Sequence, residues 1–418
     1  MTSPPDQGCP ALDTSGLSLH AQASQLRSSG PAVRVTLPGG VIAWAVTRHE
    51  VIKRLAADAR ISRDPVRHWP GRLDVPDGWP LAAVTFQQNF FNAYGSEHRT
   101  LRGRVAPSFS PRRVAAMRPL IRRTAEQLAR RLAASRPGTV VDLRGAFALP
   151  LTMTVICDLF GVPDAQRQSL GTAIDGAANT SLGPEESRAV QADIAARLDE
   201  LVAYKRAHPG PDLTSDLLMP AEGEQVLTEE TLKGTLFLMI GAGFETTVHL
   251  ITSAVHAVLS EPAHLSELRS GKVGWPDIVE ETLRHEGPIM YLPLRYAVAD
   301  VDLGEGVVVR QGEPVLFGFA AAGRDPQRHP EEADRFDPLR ADKGHLAFGF
   351  GPHFCLGAHL ARTEAETALE VLFSHLPRLS LADPDAVPER LPTFILNGLG
   401  RLPVVPLPAA GAAGGAPT

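Results

Sequence analysis

The segment Phe348-Gly-Phe-Gly-Pro-His-Phe-Cys-Leu-Gly357 constrains the fold more than any other part of the chain. Gly349 and Gly351 let the backbone turn tightly and approach a flat ligand closely. Cys355 then stands just before a helical pattern, Gly357–Leu376, and the positive end of a helix favours thiolate over thiol. Gly357 removes side-chain bulk beside the sulfur. A segment of this kind needs a buried loop, a helix behind it and a planar cavity in front.

A thiolate axial ligand donates electron density to haem iron and favours O–O cleavage, so a haem is the ligand this loop suits. Two other readings stay open on the residues alone. Cys355 could be a free cysteine in a Gly-rich turn, or a zinc ligand flanked by His345, His353 and His359. Zinc usually wants a second cysteine nearby, and none is near. The other cysteines, Cys9 and Cys157, are far away. An odd total argues against a disulfide framework and fits a reducing cytosol. Charged residues make up 21% and the net charge is −6, which gives no reason to expect a nucleic-acid partner. The N-terminus lacks the basic start and apolar run of a signal peptide. No stretch reads as long and apolar enough to span a bilayer; Leu236 to Gly243 is short and Glu245 follows. The expectation is a soluble cytoplasmic protein.

Apolar periodicity predicts helices over Pro111–Ser135, Leu149–Phe160, Glu185–Ala207, Thr228–Leu259 and Pro276–His285. Alternation predicts a hairpin over Val33–Val46, strands between Leu294 and Phe319, and a hairpin over Phe394–Val405 turning at Asn397-Gly398. The fold class is mainly α with small β-sheets, without the βαβ alternation of a doubly wound sheet. One domain is expected over residues 18–407. Residues 1–17 read as a flexible segment, and the low-complexity tail 408–418 as disordered.

The second signal is Leu236-Phe-Leu-Met-Ile-Gly-Ala-Gly-Phe-Glu-Thr-Thr247. Ala242 and Gly243 leave room over a haem face. Thr246 can hydrogen-bond a carbonyl one turn back and loosen the helix there. Glu245 offers a carboxylate for proton relay. The competing reading is plain helix packing with a surface glutamate.

Both segments resemble the signatures of cytochromes P450, Phe-x-x-Gly-x-x-x-Cys-x-Gly and (Ala/Gly)-Gly-x-(Asp/Glu)-Thr, at every fixed position. The likeness runs from about Val33 to Pro406. It is closest to soluble actinobacterial members that hydroxylate steroids or macrolides, through His68-Trp-Pro70, Glu281–Arg295 and Cys355–Arg362. Gly323 departs from it, standing where Asn is common. The resemblance implies a triangular helix-rich prism with haem b between the long oxygen-activating helix and the cysteine loop. It implies that Cys355 ligates the iron, that Thr246 assists dioxygen activation, and that Glu245 aids proton delivery.

It also implies further roles. Glu281-x-x-Arg284 matches the family's structural ion pair, completed by an Arg from a later segment, here Arg335. His98, Arg102, Arg295 and His353 match positions that hold the haem propionates, which arginine suits best. Ala242, Phe348, Gly351 and Gly357 border the cofactor. By motif offset the substrate pocket takes Val84, Gln88, Leu238, Gly241, Tyr291, Leu292, Ile395 and Leu396. This lining is mostly apolar, so a hydrophobic organic substrate fits.

Such enzymes draw electrons from NAD(P)H through ferredoxin reductase and a small acidic ferredoxin. Arg99, Arg104, Arg112, Arg113 and Arg362 are candidates for its basic docking face. The resulting expectation is a monomeric, dioxygen-using monooxygenase acting on a steroid, macrolide or other natural product. Oxidative coupling or cyclisation of an aromatic cyclic dipeptide is the alternative at the same iron, and a non-catalytic haem sensor or carrier the third reading.

Overall fold

A computed structural model describes residues 8–219 and 226–407. The tail 408–418 lies outside the described residues. Helices dominate, and ten short strands are found among the described residues: β1 (Val33–Thr36), β2 (Ile42–Val46), β3 (Ile61–Ser62), β4 (Val141–Asp142), β5 (Leu292–Ala297), β6 (Val301–Gly304), β7 (Val307–Val309), β8 (Pro314–Phe317), β9 (Ser380–Leu381) and β10 (Pro403–Val405). The sheets are small, as expected: one in the order β1-β2-β8-β5-β3, one in the order β4-β10-β9, and the β6-β7 pair.

The predicted helices form within a residue or two of their expected bounds. Pro111–Ala133 turns Val114, Ile121, Ala125 and Leu128 inward and leaves its arginines mostly outside. This 3.6-residue stripe packs beside Ala358–His375, the helix that follows the cysteine. Glu229–Ser260 is the central helix, begun by Thr228, whose side chain accepts from the Thr231 N–H. Most of its length is apolar all round because other helices enclose it. By length and composition it could cross a membrane, contrary to the sequence expectation, yet 72% of its most apolar window is buried inside the fold. The core divides into a large helical cluster and two smaller clusters around the five-stranded sheet.

Two expectations change. Residues 394–400 form no hairpin. The Ile395 carbonyl accepts from the Met290 and Tyr291 N–H groups, Asn397 N–H donates to Pro288, and β10 pairs with β4 and β9. The segment Asn397-Gly398 is instead threaded against the central helix, where a Cβ on Gly398 would lie 2.2 Å from the His249 ring. The described part of the N-terminal segment is irregular but docked: Leu12 is buried, and its N–H donates to the Thr36 carbonyl.

Candidate active site

The cysteine loop closes on itself by a hydrogen bond from Cys355 N–H to the Phe348 carbonyl, 2.9 Å. Gly349 and Gly351 both take left-handed conformations there, φ 73° and 70°. Gly351 does not face the cavity. It packs on a neighbouring helix, and a Cβ would lie 2.6 Å from the Ala56 carbonyl oxygen. The Cys355 sulfur opens into a cavity that is also lined by Phe348, Gly349, His353, Leu356 and Gly357. Desolvation pushes its thiol up, against the opposing pull of the Gly357 N–H, Arg102, Arg362 and the Ala358 N–H. The Gly357 and Ala358 N–H groups at the start of the following helix pull toward the thiolate, the direction expected of a helix start.

Across the cavity stands the central helix, presenting Leu238, Gly241, Ala242, Glu245 and Thr246. The Thr246 hydroxyl donates to the Ala242 carbonyl one turn back, 2.9 Å, the bond expected from the sequence, while the helix runs on without a break. Gly243 has a packing reason as well, because a Cβ would lie 2.3 Å from Ile156. Glu245 is no surface residue. It is buried, its Oε1 has no partner, and burial drives its carboxyl well above the usual range, with Asp175 adding and Arg144 opposing.

A group of cations lies to one side. Arg102 and Arg295 line the cavity; Arg102 NH2 donates to the Phe354 carbonyl at 2.5 Å. The His98 ring packs on His353, centroids 4.2 Å apart. Arg63, not singled out in the sequence, is buried with its guanidinium 3.4 Å from the Phe91 ring centroid. Arg63 NH1, His98 Nε2, Arg295 NH1 and His353 Nδ1 are buried without partners. Burial lowers His98 to about 4 and Arg295 to about 9, so the charged forms are starved of counter-charge. Such a group wants an anion in the cavity, and the carboxylates of a haem have the matching charge and donor needs. A thiol on one wall, the Thr246 helix on the other and unpaired basic side chains at the side fit a haem.

The distal lining takes Val84, Leu292, Ile395 and Leu396 as expected. Two predicted members fall outside it. Tyr291 is fully buried in the second core cluster, and its neighbour Ile289 lines the cavity instead. Gln88 is replaced by Asn89, since the Gln88 backbone lies against Gly234 of the central helix. Phe90, Ile174, Ala177 and Phe237 also line it and were missed. Only Phe237 carried a signal, one residue from Leu238 on the helix already identified.

The structural ion pair also needs correction. Arg284 and Glu281 are wholly buried and bidentate, Nε–Oε2 2.8 Å and NH2–Oε1 2.6 Å. Arg284 also donates to the carbonyls of Gly323, Ala333 and Arg335. Arg335 contributes only that carbonyl; its side chain is exposed and pairs with Glu332. The third charge is Arg340, 3.6 Å from Glu281 and largely buried. Gly323, the departure noted above, allows the close approach, because a Cβ would lie 1.8 Å from the Arg284 carbonyl oxygen. Among the described residues no group of three or more His, Cys, Asp and Glu side chains is placed to hold a metal ion, so the zinc reading has nothing to stand on.

Comparison with known proteins agrees with this architecture. The family model for cytochrome P450 matches residues 276–398. A 2-hydroxy-5-methyl-1-naphthoate 7-hydroxylase from Streptomyces carzinostaticus is 37% identical over 95% of this chain and 97% of its own length. The structure of CYP154A1 from Streptomyces coelicolor A3(2) superposes with a TM-score of 0.92 at 46% identity, covering 95% of this chain and all of that one. Testosterone-bound CYP154C4 from Streptomyces sp. ATCC 11861 gives a TM-score of 0.92 at 36% identity, covering 97% of this chain and all of that one. With near-complete coverage by a curated hydroxylase and two solved relatives, the chain belongs to the cytochrome P450 family and is a haem-thiolate monooxygenase.

Proposed function

We propose that this P450 hydroxylates a rigid, apolar ring compound of steroid or polyketide-derived type, with Cys355 as the thiolate ligand and Thr246 and Glu245 as the oxygen-side groups. One observation underlies this reading: a single cavity is bounded by the Cys355 sulfur on one wall and by Thr246 and Glu245 on the other. When bound, the haem supplies one-electron and dioxygen chemistry. The chain supplies binding, orientation and protons. Arg102, Arg295, His98 and His353 hold the propionates, with Arg63 behind them. Glu245, whose burial favours the neutral acid, holds a proton at its carboxyl beside the Thr246 turn. The Thr246 hydroxyl, turned to its own helix, stands ready to pass hydrogen bonds into the cavity.

Apolar side chains make up nearly all of the distal lining, and the Asn89 amide is tied to the Gly234 carbonyl at 3.2 Å. Shape and desolvation therefore select the substrate, rather than a charged anchor. The testosterone-bound relative and the naphthoate hydroxylase both point to fused rings. Ferredoxin is the electron donor in this reading, docking on the side of the cysteine loop. Arg99, Arg112 and Arg113 are exposed, as are Phe350 and Phe354 of the loop itself. Arg362, another candidate for that face, is committed to Glu280 at 2.6 Å. The protein acts as a soluble cytoplasmic monomer.

The test is spectroscopic. Reduced enzyme under carbon monoxide shows the red-shifted thiolate band, and Cys355→Ser loses it. Testosterone shifts the resting enzyme from low to high spin and is turned over to an alcohol. A colourless protein, or a steroid panel without any spin shift, refutes the respective half.

A further inference from the structure

Behind the central helix, three neighbouring side chains carry polar atoms that the fold leaves unanswered. Glu245 Oε1, both ring nitrogens of His249 and Arg144 Nε are buried without a hydrogen-bond partner. Glu245 and His249 are one turn apart on one helix face. Arg144 lies near enough to bias both of them, and its NH2 reaches Asp175 at the surface, 3.2 Å away.

The positions of these groups along the helix matter. Glu245 lines the cavity of Cys355. One turn beyond His249, Ser253 lines a separate outer cavity together with His256, Ser260, Glu286 and Arg390. Along the helix His249 thus falls between a residue of the inner cavity and a residue of the outer one, its ring lying in the space that the missing Cβ of Gly398 leaves. Buried polar groups are normally paired or met by internal water, and here no side chain pairs them. A neutral imidazole offers one donor and one acceptor, so it can hold water on both sides in a fixed direction. Burial holds His249 down at about 3, which keeps the ring neutral at working pH.

We infer that His249 is a positioning residue for proton supply: it orders internal water that joins the outer cavity and the Arg144–Asp175 pair to the carboxyl of Glu245. The inference rests on the reading of Glu245 given above. Hydroxylation by dioxygen consumes two protons and two electrons and releases one water. The protons come from solvent along this water. Glu245 gives up its proton and is reloaded, and His249 ends each cycle with the proton it began with.

The experiment uses the full-length, haem-loaded enzyme and a substrate that shifts its spin state. His249→Leu, His249→Asn and Glu245→Gln are compared for product formed per NAD(P)H, peroxide release and solvent deuterium isotope effect. We expect His249→Leu to lose coupling several-fold and to raise the isotope effect, with the carbon monoxide spectrum and substrate affinity unchanged. His249→Asn, which keeps a donor and an acceptor, restores most of the coupling. A high-resolution crystal structure shows ordered water on a His249 ring nitrogen.

If His249→Leu stays coupled while Glu245→Gln does not, the role of His249 is overturned and the reading of Glu245 stands. If Glu245→Gln stays coupled, that reading falls and this inference falls with it. Failure of His249→Asn to restore coupling means that the residue only packs, which also overturns the inference. Should His249→Leu not fold, dry ring nitrogens in the wild-type crystal are sufficient to refute it.

Discussion

Two buried glutamates, on helices that pack against each other, have opposite surroundings. Glu281 is saturated: it accepts two bonds from Arg284, one from the Asp337 N–H, and has Arg340 beside it. Glu245 has an oxygen with no partner and a carboxyl driven toward its neutral form by burial. A saturated buried charge locks segments together. An unsaturated one stays available for exchange with solvent or ligand and costs stability. The first ties its helix to the segment around Asp337 and the second lines the cavity of Cys355.

The strongest test of the contrast removes one partner of the saturated pair. Arg284→Met leaves Glu281 buried and uncompensated, which costs about 3–5 kcal/mol. Thermal melts should show the loss, together with poor haem retention. A fully stable variant would mean that the saturated site is not structural.

Thr246→Ala should act on the other side of the contrast. Product per electron is expected to drop about tenfold, equivalent to about 1.4 kcal/mol. The melting temperature should change little, because the hydroxyl bonds only its own helix. A stability loss with intact coupling would reverse the assignment.

Arg340→Ala and Arg335→Ala then sharpen which arginine completes the Glu281 site. The first should cost about 1–2 kcal/mol, as a largely buried donor beside a carboxylate. The second should stay within about 0.5 kcal/mol, as an exposed side chain. Equal losses would restore Arg335 to the role that its sequence position suggested.

The smallest effect concerns pH. Because the carboxyl of Glu245 titrates higher in the folded chain than in the unfolded one, the native state binds more protons above the unfolded value. Stability contributed by this group therefore falls as pH rises from the unfolded value through the folded one. Glu245→Gln should raise the melting temperature at neutral pH, with the gain shrinking as pH falls and gone by about pH 4, where the unfolded carboxyl is protonated too. A gain that grows on acidification would contradict the burial argument.

The cysteine turn, the Thr246 back-bond on the central helix and the i, i+3 pair were legible because each is a local pattern whose residues lie within a few positions of one another. The helix bounds were legible for the same reason, since one face of each is apolar at a fixed period. The third charge at Glu281 was harder: Arg335 and Arg340 are both reachable from that loop, and only the folded backbone shows that Arg335 offers its carbonyl instead of its guanidinium. Arg63 and His249 showed no signal, because their meaning is a missing partner. A missing partner exists only once all the surrounding elements are in place.

From its sequence alone, this chain determines a thiol at a helix start and a second helix that carries an acid and a hydroxyl, within a mainly helical body. Only tertiary structure decides that these face each other across one cavity, which apolar residues finish its lining, and which buried polar atoms stay unpaired. The reason is distance along the chain. Arg102 reaches the cysteine loop across a separation of 252 residues, and Glu281 meets Asp337 across 56. No local periodicity encodes such meetings; packing of the whole core does.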